Sequence, residues 1–492
     1  MHAPAQLLAA GAYVPRLRLA RSTIHQATGW LAAARPAPSG ARSVCSWDED
    51  SLTMATEAAC SARTAAGAPL DRGAIGALVL ASTTLPFADR SNAGIVAAAL
   101  DLPETAATQD VGGSLRAATT ALLQLARGIT TTLLLAADAR HAKPGSAQEL
   151  AYGHGAAALL IAPAAATASD STPAAAALAT ILGTAQIHAD FVDHYRQSGA
   201  EFDYALEERW VRDEALATLP ARAIAAALRD AQIDASAVKQ FAMPGAAASI
   251  KRVAASAGLS AAEAAFALDG DCGDTGTAHP LLMLIGALER ASPGDLIVLA
   301  AFGQGVDALV LRCEAGLRAW QKAAPLGAAL ARRAAEPQYL RYLAHAGLVE
   351  MDFGMRAERD QRTAQSVAWR KRRALSPFIG GQCRLCGAVQ FPLSRVCVNP
   401  QCRATDSQDE YALAARSGRV KTFTEDWQAY SPRPPYVYGN IEFDVGGNLL
   451  MEVADVDAGE LQIGDAVRFA FRIKDVDRLR GFRRYFWKAV KA

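Results

Sequence analysis

Long hydrophobic runs are missing from this 492-residue chain. A membrane-spanning helix needs about 20 consecutive apolar residues. The longest apolar stretches, Ala156 to Ala168 and Leu296 to Phe302, are short or broken by Pro163, so no membrane partner is expected. A basic start ahead of an apolar segment is missing too. MHAPAQLLAAGAYVPRLRLARS is interrupted by Gly11 and Pro15 and reads as a first strand and turn, not a secretory leader. Charge of one sign is scarce: 50 basic against 49 acidic side chains leave a net charge of +1. Such a balance supplies no general attraction for nucleic acid or an anionic bilayer, so any partner must be recognised locally. Cysteine, at 8 residues, is too sparse for a disulfide framework. A cytoplasmic, reducing setting is expected.

What the chain has is apolar bulk, 51% hydrophobic, enough for large cores in two or three globular units. Up to about residue 320, Ala-, Gly- and Leu-rich runs of strand length alternate with helix-length segments, which argues an α/β domain. IGALVLAS, from Ile75 to Ser82, reads as a strand, and Ser91 as the N-cap of the helix NAGIVAAAL. Leu133 to Ala137 and Leu296 to Ala301 read as two buried strands. These two belong to an internal repeat. GSLRAATTALLQLARGITTTLLLAADA from Gly113 and GTAHPLLMLIGALERASPGDLIVLAAFG from Gly276 both run glycine, helix, turn, buried strand. Leu115, Thr119, Leu122, Leu123 and Ala126 recur at helical spacing in the first copy; the second helix is apolar nearly all round and should be central. A strand, loop, helix order precedes each copy. The spacing predicts two related halves, about 1–170 and 175–315, within a domain of about 1–325.

A charged, mostly helical arm of about 326–375 follows. Next come CRLC and CVNPQC, in a segment of about 376–406. Each pair sets two thiolates on a tight turn, with Gly387 relieving the backbone after the first. Cys383, Cys386, Cys397 and Cys402 therefore make the closed tetrahedral set of a structural zinc ribbon, with no position left for a catalytic water. Metal binding should stabilise the fold around it. From about 407 to 492, short strands, Gly-Gly and Pro-Pro turns and no long helix predict a small barrel.

GAYVPRLRL, SVCSWDEDSLTMATEAA, GDTGTAHPLLMLIGALERASPGDLIVLAAFGQG and the RWVRDEALATLPARAIAAAL helix resemble the thiolase superfamily. The likeness is strongest to the hydroxymethylglutaryl-CoA synthases of bacteria and archaea. The last ~110 residues resemble the zinc-ribbon and OB-fold domain that accompanies thiolase-like enzymes acting on acyl-CoA. The resemblance implies a duplicated five-layer α/β fold, a homodimer, a CoA thioester in a tunnel, and a further thiolase-type protein as a candidate partner. Its familiar catalytic positions are all changed. In QDVGGSLRAATTALL, Leu115 falls where the cysteine nucleophile is expected. Ala242 in QFAMP replaces the histidine, Thr83 in ASTTLPF the acidic residue, and Asp274 the asparagine before Thr-Gly.

Four residues are then candidates for chemistry. Ser114 stands one residue before Leu115 at the helix entrance, as a displaced nucleophile or a helix cap. His279 in TGTAHPLL resembles the stretch with which thiolases polarise a thioester carbonyl; its alternative is a buried hydrogen-bonded or capping role. Cys272 in DGDCGDTG is a displaced nucleophile or a packing residue, and Asp274 lies beside it. Cys45, Cys60 and Cys313 read as core, and His154 as a turn residue near the cleft. Asp48, Glu49 and Asp50 read as capping the following helix. Tyr195, Arg196, Tyr204 and EERW fall in a segment resembling the family's substrate-side insertion.

The leading expectation is an acyl-CoA-dependent acyltransferase that makes or breaks a carbon–carbon bond. A retro-aldolase on a β-hydroxyacyl-CoA, needing a base and an oxyanion site but no acyl-enzyme, is the first alternative; a noncatalytic acyl-CoA-binding scaffold is the second. A nucleic-acid module built on Trp427, Tyr430, Tyr436, Tyr438 and the Arg483–Tyr485 tail is weighed against the neutral charge, and no nucleic-acid partner is expected.

Overall fold

The computed structural model describes residues 4–31, 38–65, 72–163, 177–264 and 268–492. The end of the Ala156 to Ala168 run lies outside the described residues. Contacts divide the chain into two units. Unit 1 comprises residues up to Cys45, Asp50–Gly94 and Leu102–Tyr342; unit 2 comprises Ser46–Glu49, Ile95–Asp101 and Leu343–Ala492.

Unit 1 opens with β1 (Ala5–Tyr13), β2 (Leu17–Ala20) and β3 (Ala41–Val44). Then come α1 (Ser51–Ala65), β4 (Ala77–Ala81), α2 (Asn92–Ala99, assigned to unit 2 from Ile95 on), β5 (Ala107–Val111), α3 (Ala117–Leu125), β6 (Thr132–Ala139) and β7 (His154–Pro163). A second series follows: β8 (Ala179–His188), the hairpin β9 (His194–Tyr195) and β10 (Tyr204–Ala205), α4 (Leu219–Ala231), β11 (Val238–Ala242), α5 (Ala247–Ser256), β12 (Glu263–Ala264), α6 (His279–Arg290), β13 (Leu296–Phe302) and β14 (Gly305–Cys313). The ten-stranded order β12-β11-β13-β14-β8-β1-β7-β6-β4-β5 is two copies of one pattern, joined by Gln6↔Thr180 and Leu7↔Ala179. In each copy the second strand pairs in parallel with the third and fourth, while the fifth pairs antiparallel with the fourth and first.

Helices α3 and α6 lie between the two copies, each touching strands of both. α1 covers β1, β6 and β7 on one outer face; α4 covers β8, β13 and β14 on the other. Five layers result. The all-round apolar pattern of α6 has its expected consequence: every residue from His279 to Leu288 is buried. Each fully buried Leu or Ile there contributes roughly 2 kcal/mol of transfer free energy. On the outer face, a Cβ at Gly11 would lie 2.1 Å from the Ala62 backbone, so only glycine admits so close an approach of α1 to β1. The Glu208–Ala231 stretch is not one helix. It runs from a short α-turn through a π-helical segment, Val211–Leu216, before α4.

The arm is less helical than its composition suggests: β15 (Ala334–Ala335) pairs with β2, and Tyr339–His345 is a short helix. In unit 2, β16 (Ile379–Cys383) is central between β17 (Val389–Gln390) and β18 (Gln408–Ala412). A closed barrel follows from β19 (Ser417–Asp426), β20 (Tyr436–Phe443), β21 (Asn448–Ala454), β22 (Ala466–Asp477) and β23 (Phe482–Lys491), in the order β19-β20-β21-β23-β22. Phe378, Phe443, Phe469, Phe471 and Trp487 fill its core.

The acidic cluster Asp48–Glu49–Asp50 does not act together as a cap for α1. Only Asp50 caps α1, its Oδ1 accepting from Leu52 N–H at 3.0 Å and Thr53 N–H at 3.1 Å. Asp48 and Glu49 instead pair with cations of the barrel. Buried Lys488 Nζ lies 3.0 Å from Asp48 Oδ2, 2.7 Å from Glu452 Oε1 and 4.2 Å from the Trp47 ring centroid. Arg472 meets Glu49 Oε1 at 3.6 Å and Asp455 Oδ2 at 3.0 Å. Cys313 is buried as expected, but Cys45 and Cys60 are only half-buried.

Candidate active site and metal centre

Parallel strands open their carboxyl ends on the same edge, where ligand crevices form in open α/β sheets. β4 and β6 are such neighbours, and a cleft of about 420 Å³ lies at their ends. The loop after β4 supplies Ser82 and Thr83, and the turn before α3 supplies Ser114 and Leu115. Arg140 and His141 follow β6 directly, the β9–β10 hairpin adds His194, Tyr195, Arg196 and Asp203, and Gln304 completes the lining between β13 and β14.

Buried Asp138, near the end of β6, organises the first wall. Its Oδ1 accepts from Thr83 N–H at 2.7 Å and from the Ser82 and Thr84 hydroxyls, each at 3.0 Å. Its Oδ2 accepts from Thr277 N–H at 2.8 Å. Gly276 beside it has φ +64°, and a Cβ there would lie 2.4 Å from Asp138 Oδ2, so glycine is required by conformation and by space.

Arg140 organises the second wall. It donates to Asp203 Oδ2 at 2.7 Å and to Asp274 Oδ2 at 3.4 Å, and its guanidinium carbon sits 3.6 Å from the Tyr152 ring centroid. The Tyr152 hydroxyl also donates to Asp203 Oδ2, at 3.0 Å. Burial works to raise Asp203, but Arg140 and the two hydrogen bonds hold its carboxyl below the ordinary value. Burial, helped by Asp203 and opposed by Arg140, pushes the Tyr152 hydroxyl up. Asp274 stays low for a similar reason: Arg140, His279 and the Gly276 N–H outweigh its desolvation.

Of the residues singled out in the sequence, Ser114, Leu115, Thr83, Tyr195 and Arg196 meet at the cleft. Ser114 does not cap α3, whose N-cap position is Arg116, because one further turn intervenes. The Ser114 hydroxyl donates to Gly303 O at 2.9 Å. Tyr204, His154, His279, Cys272 and Asp274 are not part of the lining. His279 is buried, and its Nδ1 accepts from Thr275 N–H at 3.1 Å, which places the ring proton on Nε2. Its Nδ1 is 3.8 Å from Asp274 Oδ1. Cys272 is fully buried, its thiol 3.6 Å from the carbonyls of Leu268 and Gly273. Burial pushes that thiol up to about 12, the state of a packing residue and not of a ready nucleophile. His154 accepts from Cys45 N–H through Nδ1 at 2.9 Å and lies 3.2 Å from Arg140 O through Nε2. Burial, then Arg42, holds it well below the ordinary histidine value, hence neutral.

Asp138, Arg140, Asp203 and His194 went unmarked in the sequence. The available signal for the first two was position, immediately at the carboxyl end of the buried run TLLLAADAR. Asp203 pairs locally with Arg196 at 3.6 Å, but the two partners that hydrogen-bond its Oδ2, Arg140 and Tyr152, are 63 and 51 residues away and leave no local signal.

In unit 2 the thiols of Cys383, Cys386, Cys397 and Cys402 lie within 4.8 Å of one another. Tetrahedral zinc with Zn–S bonds of about 2.3 Å sets its sulfurs about 3.8 Å apart. The Cys386–Cys397 and Cys383–Cys402 separations are 3.5 and 3.9 Å, so this donor set fits the metal. The Ser407 hydroxyl, then the Cys386 N–H, lowers the Cys383 thiol to about 6. Against the Asn399 N–H that favours its thiolate, desolvation and the neighbouring sulfurs push Cys397 up to about 12. A cation among the four would relieve that crowding.

These elements define a thiolase-like fold fused to a C-terminal OB-fold domain. Residues 411–472 match the family described as ChsH2, C-terminal OB-fold domain. The chain is 33% identical over 165 residues to the hydroxymethylglutaryl-CoA synthase of Aeropyrum pernix, covering 31% of this chain and 44% of that protein. It is 32% identical over 202 residues to that of Methanocella arvoryzae, covering 39% of this chain and 53% of that protein. The chain thus spans about half the length of these curated relatives. A DUF35 domain-containing scaffold protein of Methanothermobacter thermautotrophicus is 28% identical over 96 residues, 19% of this chain and 70% of that protein. Among solved structures, MvaS in complex with 3-hydroxy-3-methylglutaryl coenzyme A superposes with a TM-score of 0.56 at 19% identity, covering 70% of this chain and 92% of that one. An HMG-CoA synthase complexed with CoA gives 0.57 at 15% identity, covering 72% and 92%. 3-Oxoacyl-(acyl carrier protein) synthase III, FabH, from Pseudomonas aeruginosa gives 0.53 at 20% identity, covering 63% and 98%.

Proposed function

We propose that unit 1 binds an acyl-CoA thioester and makes or breaks a carbon–carbon bond by aldol chemistry, without an acyl-enzyme. Leu115 carries the reading. At the helix entrance where an acyl-transfer enzyme of this fold would present its thiol, the cleft has a side chain that cannot be acylated. Cys272 is sealed in the core. The neighbouring synthase structures with bound CoA and 3-hydroxy-3-methylglutaryl coenzyme A support a thioester in the cleft.

The substrate best suited to such a site is a β-hydroxyacyl-CoA. A base removes the β-hydroxyl proton, the Cα–Cβ bond breaks, and the β-carbon leaves as a carbonyl. The bonding pair becomes a thioester enolate, which takes a proton at Cα to give the shortened acyl-CoA. The reverse sequence is the aldol addition. Ser114 and the Arg140–Asp203–Asp274 network are the polar groups we assign to holding the thioester end and fixing the wall around it; His279, whose Nδ1 is taken by the Thr275 N–H, is assigned a structural place behind that wall. Cys272 receives no role.

In unit 2 we propose that the four cysteines hold one structural zinc, which would supply folding free energy and no chemical step. The functional form is proposed to be a homodimer. Liquid chromatography with mass detection of the full chain on a panel of β-hydroxyacyl-CoAs tests the reaction. Release of one carbonyl compound and one shortened acyl-CoA in equal amounts is expected; unchanged substrate across the panel would contradict it and leave a binding scaffold.

A further inference from the structure

We infer that His194 is the proton-transferring base of the cleft, and that Asp193 positions its ring. The inference rests on the aldol reading above and names the group that reading needs.

The imidazoles of this unit sort by access. His154 and His279 are buried, each with Nδ1 occupied by a backbone N–H. Only His141 and His194 line the cleft among the described residues. His141 is 35% exposed and 3.9 Å from Glu201, itself 53% exposed, a loose surface pair. His194 is built differently. Its side chain is 19% exposed, and its Nδ1 lies 3.0 Å from Oδ2 of Asp193, which is 15% exposed. The other carboxylate oxygen, Asp193 Oδ1, is buried and has no hydrogen-bond partner among the described residues. A carboxylate so poorly served elsewhere favours Nδ1–H on the ring beside it, which leaves Nε2 as the free acceptor.

The backbone here is fixed too. Gln304 Nε2 donates to His194 O at 2.9 Å, Leu206 N–H donates to Asp193 O at 2.9 Å, and His194 pairs with Ala205 across the hairpin. The imidazolium formed on taking a proton would have the Asp193 carboxylate beside it. That is the arrangement a general base requires: a free basic nitrogen before proton transfer and stabilised charge after it. In the proposed cleavage Nε2 accepts the β-hydroxyl proton as the Cα–Cβ bond breaks, and the imidazolium returns a proton to Cα of the enolate. No oxidant or further reactant is involved.

The test compares the parent chain, His194→Gln, Asp193→Asn and His141→Gln. Two reactions are followed: cleavage of a β-hydroxyacyl-CoA, and exchange of the Cα protons of the acyl-CoA product with deuterated water. Loss of a positioned base typically costs 10²–10⁴-fold, so His194→Gln should lose at least about 100-fold in both, with thioester affinity retained as proof that the cleft is intact. His141→Gln, which alters the other imidazole of the cleft, should lose far less than His194→Gln in both reactions. For Asp193→Asn the readout is the 15N spectrum of labelled histidine, in which the His194 signals should shift away from the Nδ1–H tautomer as turnover falls. An active parent with His194→Gln equally active overturns the assignment of the base alone. A parent inactive in both reactions overturns the aldol reading and this inference with it. An unchanged His194 tautomer in Asp193→Asn overturns the positioning role.

Discussion

Replacing Asp138 by asparagine is a sharp perturbation of the cleft, because it changes one oxygen to NH2 with almost no change of shape. Four donors converge on the parental carboxylate: Thr83 N–H, Thr277 N–H and the hydroxyls of Ser82 and Thr84. The asparagine oxygen must take the Oδ1 side, where three donors meet, and so the NH2 faces Thr277 N–H, donor against donor. An unmet buried donor costs about 1–3 kcal/mol, and charge-assisted bonds that become neutral lose part of their worth. The sum is a destabilisation of about 2–4 kcal/mol, with no cavity term because the volume is kept. Urea unfolding read by circular dichroism should show it. Turnover should fall as well, since Ser82 and Thr83 line the cleft. A variant within about 0.5 kcal/mol of the parent would refute the view that this carboxylate holds the wall.

Three further outcomes follow from the same reasoning. Chelation, or Cys397→Ser, should release one zinc per chain by elemental analysis and unfold the ribbon first; zinc loss with unit 2 still folded would contradict a structural metal. Asp203 has its pKa depressed in the fold, so the stability it contributes is present above about pH 4 and lost as pH falls through its folded value; Asp203→Asn should flatten acid unfolding in that window. Lys488→Met leaves Asp48 and Glu452 buried without their cation and should cost about 3–5 kcal/mol. Because the two carboxylates, against the pull of burial, raise the Lys488 pKa, its contribution is intact below about pH 10 and lost above it; the variant should lack that alkaline limb in unfolding titrations.

Elements with a strong period were legible from the chain alone. α6 is apolar on all sides and is the central buried helix; the glycine–helix–strand repeat appears as two halves of one ten-stranded sheet with the same strand pairing; the paired cysteines converge. Side chains whose role depends on distant partners were not legible. Nothing local shows that Asp48 and Glu49 answer Lys488 and Arg472 instead of capping α1, because those partners lie more than 400 residues on. The sequence left Cys272 open between a displaced nucleophile and a packing residue, because tertiary burial decides its state. The Glu208–Ala231 stretch has helical composition throughout, and the π-segment at Val211–Leu216 re-phases it where periodicity gave no warning.

The central claim is that a cleft with Leu115 at its helix entrance works without a covalent acyl-enzyme. Intact-protein mass measured on samples quenched during steady turnover of a β-hydroxyacyl-CoA tests it most directly. The account predicts product formation with every protein molecule at its unmodified mass; an acyl adduct that maps to Ser114 and forms and decays at the turnover rate would contradict it.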